Sequence, residues 1–284
     1  MAKVYLIDAS PIFYKSFFAV PHLNSKNGVP TNAAFGYTRV MMSLLKQFQP
    51  EYIGVCFDRK SDSRTNLYQG YKKDRKPMAS GLSVQIPIVK KITESLGIKV
   101  IEKEGFEADD LIGMLAKIAE KEGHEVVIIS PDKDLCQLVN DKITVYDSSK
   151  KEFFDSKKVE EKFGVKPHQI IDFLGLSGDA VDGIPGIAGI GKTTAIKLIK
   201  EYENLENIIA NKDKLAKGAS QKIAQGQKIG EISKRLATII TDSTLCPVKT
   251  TSELSKTFAD RDFLTNYFDA LNFLSLRSKI SDLD

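Results

Sequence analysis

Short unbroken runs of apolar residues punctuate the first half of the chain. Val4–Ile7, Tyr52–Phe57, Lys99–Ile101, Val126–Ile129 and Ile143–Tyr146 are continuous rather than alternating, the pattern of strands covered on both faces. Between them the apolar spacing shifts to three and four. Ala34–Phe48 carries Val40, Leu44 and Leu45, and Val84–Leu96 sets Ile88, Ile92 and Leu96 on one side with Pro87 near its start. Asp109–Glu122 carries Leu111, Ile112, Leu115, Ile118 and Ala119 and runs into Gly123, a residue suited to ending a helix. Strands alternating with helices predict an α/β fold with a mostly parallel central sheet flanked by helices. After about residue 155 the strand-like runs vanish. Ser156–Phe163, Pro167–Leu174, Lys192–Glu201 and Ser220–Thr241 read as helices joined by Gly/Pro turns. The expected organisation is an α/β domain over 1–155 and a helical region over 156–284.

Composition narrows the chemistry. The 284 residues are 42% hydrophobic and 27% charged, with a net charge of +4, so the placement of charges matters more than their sum. Cys56, Cys136 and Cys246 lie far apart with no CxxC pair, which argues against a disulfide frame or a cysteine zinc site and suits a reducing cytoplasm. With His22, His124 and His168 as its only histidines, the chain is a poor candidate for a histidine-rich metal site or a Ser-His-Asp hydrolase. The apolar run at the N-terminus is too short for a signal peptide. No stretch approaches the roughly 20 apolar residues of a membrane helix.

Three strand candidates end in aspartate: Asp8, Asp58 and, after Ser130-Pro131, Asp132. Ligands of open α/β sheets bind at the carboxyl ends of the strands. A single such Asp is commonly a helix N-cap; three together point to a site. Glu107-Ala108-Asp109-Asp110 opens a helix, where acids complement the dipole, but three acids in four positions exceed what capping needs. Asp134 follows Asp132, and Asp179 and Asp182 form a further pair in a Gly-rich turn, a common place for Asp in any case. Carboxylates crowded in one place repel one another. Divalent cations resolve this, and an all-oxygen set suits Mg²⁺ or Mn²⁺. Two such ions about 3.5–4 Å apart activate a water and stabilise a leaving oxygen, the chemistry of phosphodiester cleavage.

Between Arg59 and Lys76 seven basic residues face two acids, with Tyr68 and Tyr71 interleaved. Basic groups hold phosphates and tyrosine faces stack on unpaired bases, though a charge run is also the composition of a solvated loop. The segment follows directly on Asp58, so Lys72 and Arg75 are candidates to meet a reacting phosphate. Gly186 to Thr193 fits the phosphate-loop pattern G-x-x-x-x-G-K-T. That motif should follow a buried strand, yet the preceding stretch is a polar turn containing Pro185. The alternatives are a turn between two helices whose backbone approaches a DNA phosphate and whose carbonyls could hold a monovalent cation, and a purely structural Gly-rich turn.

Taken in order, VYLIDAS, GVCFDRK, YQGYKKDR, GFEADDLIG, PDKDLCQL and SGDAVDGIPGIAGIGKTTA resemble the 5′-nuclease domain of bacterial DNA polymerase I. They are also similar to stand-alone 5′–3′ exonucleases and, more distantly, to flap endonucleases. The resemblance implies a PIN-like catalytic domain with a helical arch at about 59–80, then a helix–three-turn–helix element at about 170–201. It implies that Asp8, Asp58, Glu107, Asp109, Asp110, Asp132, Asp134, Asp179 and Asp182 hold two Mg²⁺ or Mn²⁺ ions. It implies that Lys72 and Arg75 act on the phosphate, and that Arg64, Tyr68 and Tyr71 contact the single strand. Gly189, Ile190, Gly191, Lys192 and Thr193 would grip duplex DNA, with K⁺ bound at the turn in some members. The substrate implied is a 5′ single strand at a duplex junction, cut by a cytoplasmic monomer in replication and repair. Departures from the pattern are Gly183 where Asn is usual, Pro131 in place of Gly, and Ala9 in place of Gly; none removes an acid. The rival readings are a non-catalytic junction binder, a P-loop NTPase using Lys192, and a PIN-type ribonuclease.

Overall fold

Lys3–Asp8 forms β1, buried at every position after the first, as its unbroken apolar run requires. The computed structural model describes residues 2–283, and the chain divides into two units. The first comprises Met1–Arg59, Pro77–Pro131 and Thr241–Asp284. Besides β1 it holds β2 (Tyr52–Cys56), β3 (Lys99–Ile101) and β4 (Glu125–Ile129). The pairing is parallel throughout, in the order β3-β2-β1-β4. In register, Asp8 lies beside Cys56 and Ile7 beside Ile129, so the carboxyl ends of the three central strands align.

The helices of this unit are α1 (Ala9–Ala19), α2 (Asn32–Phe48), α3 (Ile86–Ser95) and α4 (Ala108–Lys121). Leu111, Ile112, Met114 and Leu115 of α4 are fully buried, each worth about 1.5–3 kcal/mol of transfer free energy. That sum outweighs the cost of burying Asp110 on the same helix, whose carboxylate accepts the Glu107 N–H at 3.4 Å. The parallel sheet and the helices read from spacing are present. Helix α1 has no counterpart in the sequence reading: Pro11 and a nearly all-apolar run hide any amphipathic stripe.

The second unit comprises Lys60–Lys76 and Asp132–Ile240. It holds an antiparallel hairpin, β5 (Ile143–Asp147) with β6 (Glu152–Phe154), and the helices α5 (Ser156–Phe163), α6 (Ile170–Ser177), α7 (Lys192–Tyr202) and α8 (Lys217–Ala237). The last strand read from the sequence is Ile143–Tyr146; the three residues of β6 are too few to carry a pattern. Helix α6 approaches α8 closely because both present glycine: a Cβ on Gly175 would stand 3.0 Å from Lys234 Cβ and 3.3 Å from the Gly230 carbonyl oxygen. Lys234 spans α8's polar flank, bridging Asp172 at 2.6 Å and Glu206 at 2.7 Å.

Candidate active site

In the first unit the strand ends collect carboxylates and supply them with neutral donors. Asp8 closes β1, is 4% exposed, and N-caps α1 by accepting the Ser10 N–H at 3.2 Å. Its other oxygen accepts the Ser130 hydroxyl at 3.0 Å, from the residue just past β4. Asp58, two residues past β2, accepts the Ala108 N–H at the start of α4 at 2.9 Å and the Ser10 hydroxyl at 2.5 Å. Capping and clustering therefore fall on the same residues. Each bond to a backbone N–H fixes a carboxylate without neutralising it. Cys56, at the end of β2, feels the result: burial pushes its thiol well above the ordinary range, and the charges of Asp8, Asp109 and Asp58 add to the effect. Ser10 and Ser130 were not singled out in the sequence; only their adjacency to strand-end acids marks them.

In the second unit, Asp132 follows β4's terminal segment and accepts the Asp134 N–H at 2.9 Å. Asp179 and Ile184 exchange two backbone bonds of 2.8 Å, closing a six-residue loop that presents both Asp179 and Asp182. Asp179 accepts the Val181 N–H at 3.0 Å and pairs with Lys133. The basic segment docks on this loop. The Lys72 N–H donates to the Asp182 carbonyl at 2.8 Å, Arg75 donates to the Asp182 carboxylate at 2.6 Å, and the Lys72 ammonium lies 4.0 Å from it. Gly183 explains itself here. Its φ is +67°, and a Cβ would meet the Gly70 carbonyl oxygen at 2.3 Å, so a side chain in the place of this glycine would push the segment off the loop.

Charge is concentrated at Asp134. Burial first, then the neighbouring charges of Asp132, Asp182 and Asp179, push its carboxyl up to about 7. Burial and Asp182 likewise raise Asp132. Oδ1 of Asp134 is buried without a hydrogen-bond partner, an arrangement that native structures avoid unless something else is bound there. Among the described residues no three acids, histidines or cysteines are drawn tightly enough together to form a metal-binding group. Lys133 pairs with Asp179, and Lys72 and Arg75 with Asp182. The donor set itself, all carboxylate with one buried oxygen unsatisfied, fits a hard divalent cation.

The remaining sequence candidates divide. Arg64, grouped with the DNA contacts, is 7% exposed and donates to the carbonyls of Leu236 at 3.1 Å and Thr238 at 3.0 Å, binding the short helix Ser63–Leu67 to the end of α8. Tyr71 is buried with the Lys72 ammonium 4.9 Å from its ring centre; Tyr68 is half-buried over Gly70. Ile190 is buried, whereas Gly189, Gly191, Lys192 and Thr193 are exposed at the start of α7. The stretch before Gly186 is α6 and the 179–184 loop, with no strand, which removes the structural basis of a phosphate loop.

Two family descriptions match in tandem: 5′-3′ exonuclease, N-terminal resolvase-like domain, over residues 3–164, and 5′-3′ exonuclease, C-terminal SAM fold, over residues 165–260. The 5′-3′ exonuclease of Aquifex aeolicus is 41% identical over 85% of this chain and 83% of its own. DNA polymerase I of Bacillus subtilis is 37% identical over 99% of this chain but 32% of its own, so the chain spans about a third of such polymerases. Among solved structures, bacteriophage T5 5′-exonuclease with bound zinc superposes with a TM-score of 0.70 at 19% identity, covering 99% of this chain and 98% of that one. The catalytic core of Rad2 in complex with a DNA substrate gives 0.64 at 19% identity, over 99% and 90%. At that identity the likeness concerns the fold.

Proposed function

Because the chain belongs to the 5′-3′ exonuclease family, both of whose domains it carries in order, we propose that it is a divalent-metal-dependent 5′-nuclease. Its substrate is DNA branched or flapped at a duplex junction, or an RNA primer there, and its setting is cytoplasmic replication and repair. Its relatives are named as 5′-3′ exonucleases and DNA polymerases I, and the T5 enzyme's structure holds divalent ions. No helix among the described residues is long and apolar enough to cross a membrane.

The observation that carries the reading is Asp134. A carboxyl raised to about 7 by burial first and then by its acidic neighbours, with a buried oxygen left unpaired, is a position that a bound cation would stabilise. We assign Mg²⁺ or Mn²⁺, two ions, to Asp8, Asp58, Glu107, Asp109, Asp110, Asp132, Asp134, Asp179 and Asp182. When bound, the ions supply an activated water and charge stabilisation at the leaving oxygen. The protein's own part is positional. Lys72 and Arg75 exchange Asp182 for the scissile phosphate and hold it in line. The segment over 59–80 receives the 5′ single strand, with Tyr68 offering a ring to a base and Arg64 anchoring the segment's base to α8. The turn at Gly189–Thr193 takes a duplex phosphate at the N-terminus of α7.

The test is a labelled 5′-flap oligonucleotide incubated with Mg²⁺ or Mn²⁺. Cleavage near the junction by the wild-type protein, lost in Asp132→Ala, is expected. Binding without cleavage in either metal would leave a junction-binding protein instead.

A further inference from the structure

Lys222, Gly226, Gly230 and Ser233 recur at intervals of four, four and three along α8, which places them on one face of the helix. That face meets the glycine-rich turn residue by residue. The Ser233 hydroxyl accepts the Gly186 N–H at 3.0 Å. The Ile187 side chain lies against Gly230 and Gly226, where an added Cβ would stand 2.8 Å and 2.5 Å from it. Lys222 ends the series: its side chain lies across Gly189, and its ammonium donates to the Gly189 carbonyl at 3.0 Å. Gly189 has φ +79°, and a Cβ there would meet Lys222 Cε at 2.9 Å, so the glycine serves both the turn and the lysine. The other three contacts fix the register of α8 on the turn. The helical repeat therefore places Lys222 on the face of α8 that meets the turn, within reach of the Gly189 carbonyl.

A carbonyl oxygen turned outward at such a glycine attracts a cation, and an alkylammonium and a potassium ion meet the same demand. We propose that Lys222 is the resident cation of the turn. It neutralises the Gly189 carbonyl and adds a fixed positive charge beside the N–H groups that open α7, so that gripping a DNA phosphate there needs no monovalent ion from solution. This rests on the reading of the turn as a DNA-gripping element. A K⁺ on the turn's carbonyls, which the resemblance implies for some members, would meet an ammonium already bonded to one of them.

The experiment measures binding of a fluorescent 5′-flap oligonucleotide in Ca²⁺, at constant ionic strength, in potassium or tetramethylammonium chloride. Wild type, Lys222→Gln and Gly191→Glu are compared after thermal melts show each folded. Gly191 has open space around its Cβ position and φ −85°, so the glutamate places a negative charge at the turn without a clash. Wild type should bind within twofold equally in the two salts. Lys222→Gln should bind about fivefold more weakly in tetramethylammonium, recover part of the loss in potassium, and show a salt slope shallower by about 1. A wild-type protein that itself requires potassium, or a Lys222→Gln protein that binds like wild type in both salts, overturns the proposal. If Gly191→Glu binds as well as wild type, the turn does not grip DNA, and the underlying reading falls with the role of Lys222.

Discussion

Asp8 and Asp58 of the first unit rest on neutral donors, whereas Asp179 and Asp182 of the second engage charged ones. Asp8 and Asp58 are held by the N–H groups of Ser10 and Ala108 and the hydroxyls of Ser130 and Ser10. Asp179 and Asp182 are held by Lys133, Arg75 and Lys72, and Asp134 keeps a buried oxygen with no partner. Backbone donors are part of the fold and stay in place. An ammonium or guanidinium on a flexible stem exchanges readily for another cation or follows a phosphate away. On the proposed metal assignment the first set is thus framework and ligand at once. The second set is balanced only while cations attend it.

The sharpest way to break this contrast is to compare Asp8→Ala with Asp134→Asn. Both should lose about a thousandfold or more in flap cleavage, since each removes a charge from the assigned ligand set. Their thermal stabilities in EDTA should diverge. Asp8→Ala removes an N-cap and the acceptor for Ser130, at a cost of about 1–2 kcal/mol. Asp134→Asn removes a repelled charge and should melt no lower than wild type. Equal destabilisation in both variants would mean the two sets are held alike.

A second, smaller effect concerns pH. Asp134's carboxyl is raised from the usual aspartate value to about 7. The folded protein therefore keeps a proton that the unfolded chain gives up. The stability due to that proton is fully present below about pH 4 and is lost as pH rises through about 7. In EDTA, wild type should lose up to a few kcal/mol across this window, and Asp134→Asn should lose distinctly less. Melting curves at pH 5 and pH 8 decide it; identical slopes in the two proteins would locate the titration elsewhere.

Much of this framework is legible in the letters, for physical reasons that also explain the gaps. Strands β1, β2 and β4 announce themselves because burial on both faces demands unbroken apolar runs. The acids stand out because three of the runs lead into aspartate within a few residues. Helix Arg261–Ala270 was not recognised, although Asp260, its N-cap, and Phe263, Leu264, Tyr267 and Phe268 carry the signal. What no local pattern encodes is which groups meet at distance. Arg64 looks like any other arginine of a basic run, and only the chain's return at Leu236 and Thr238 buries it. Gly183 is a glycine for a reason that lies at Gly70, more than a hundred positions away. Lys133 reads as a spacer between two aspartates until the 179–184 loop is brought against it.

Lys133 offers the finest test of the contrast. It lies between two acids assigned to metal and pairs with a third. Burial disfavours its charge, but the bond to Asp179 and the charges of Asp134, Asp179 and Asp132 hold its ammonium above the ordinary range. A divalent ion bound by those acids competes with this ammonium for the same oxygens. Lys133→Met keeps the length of the stem and removes the competitor. The stability lost in EDTA should be small, about 1 kcal/mol or less, because the ammonium is partly exposed and water replaces it. Affinity for Mn²⁺, read by titration calorimetry or paramagnetic resonance without substrate, should rise several-fold, since a positive charge beside the ion has gone. The same substitution of a neighbouring cation in the first unit, Lys103→Met, should leave Mn²⁺ affinity unchanged, because Lys103 donates to the Leu245 carbonyl and pairs with no acid assigned to metal. Weaker Mn²⁺ binding in Lys133→Met would mean that the lysine builds the acidic cluster and does not merely hold its place.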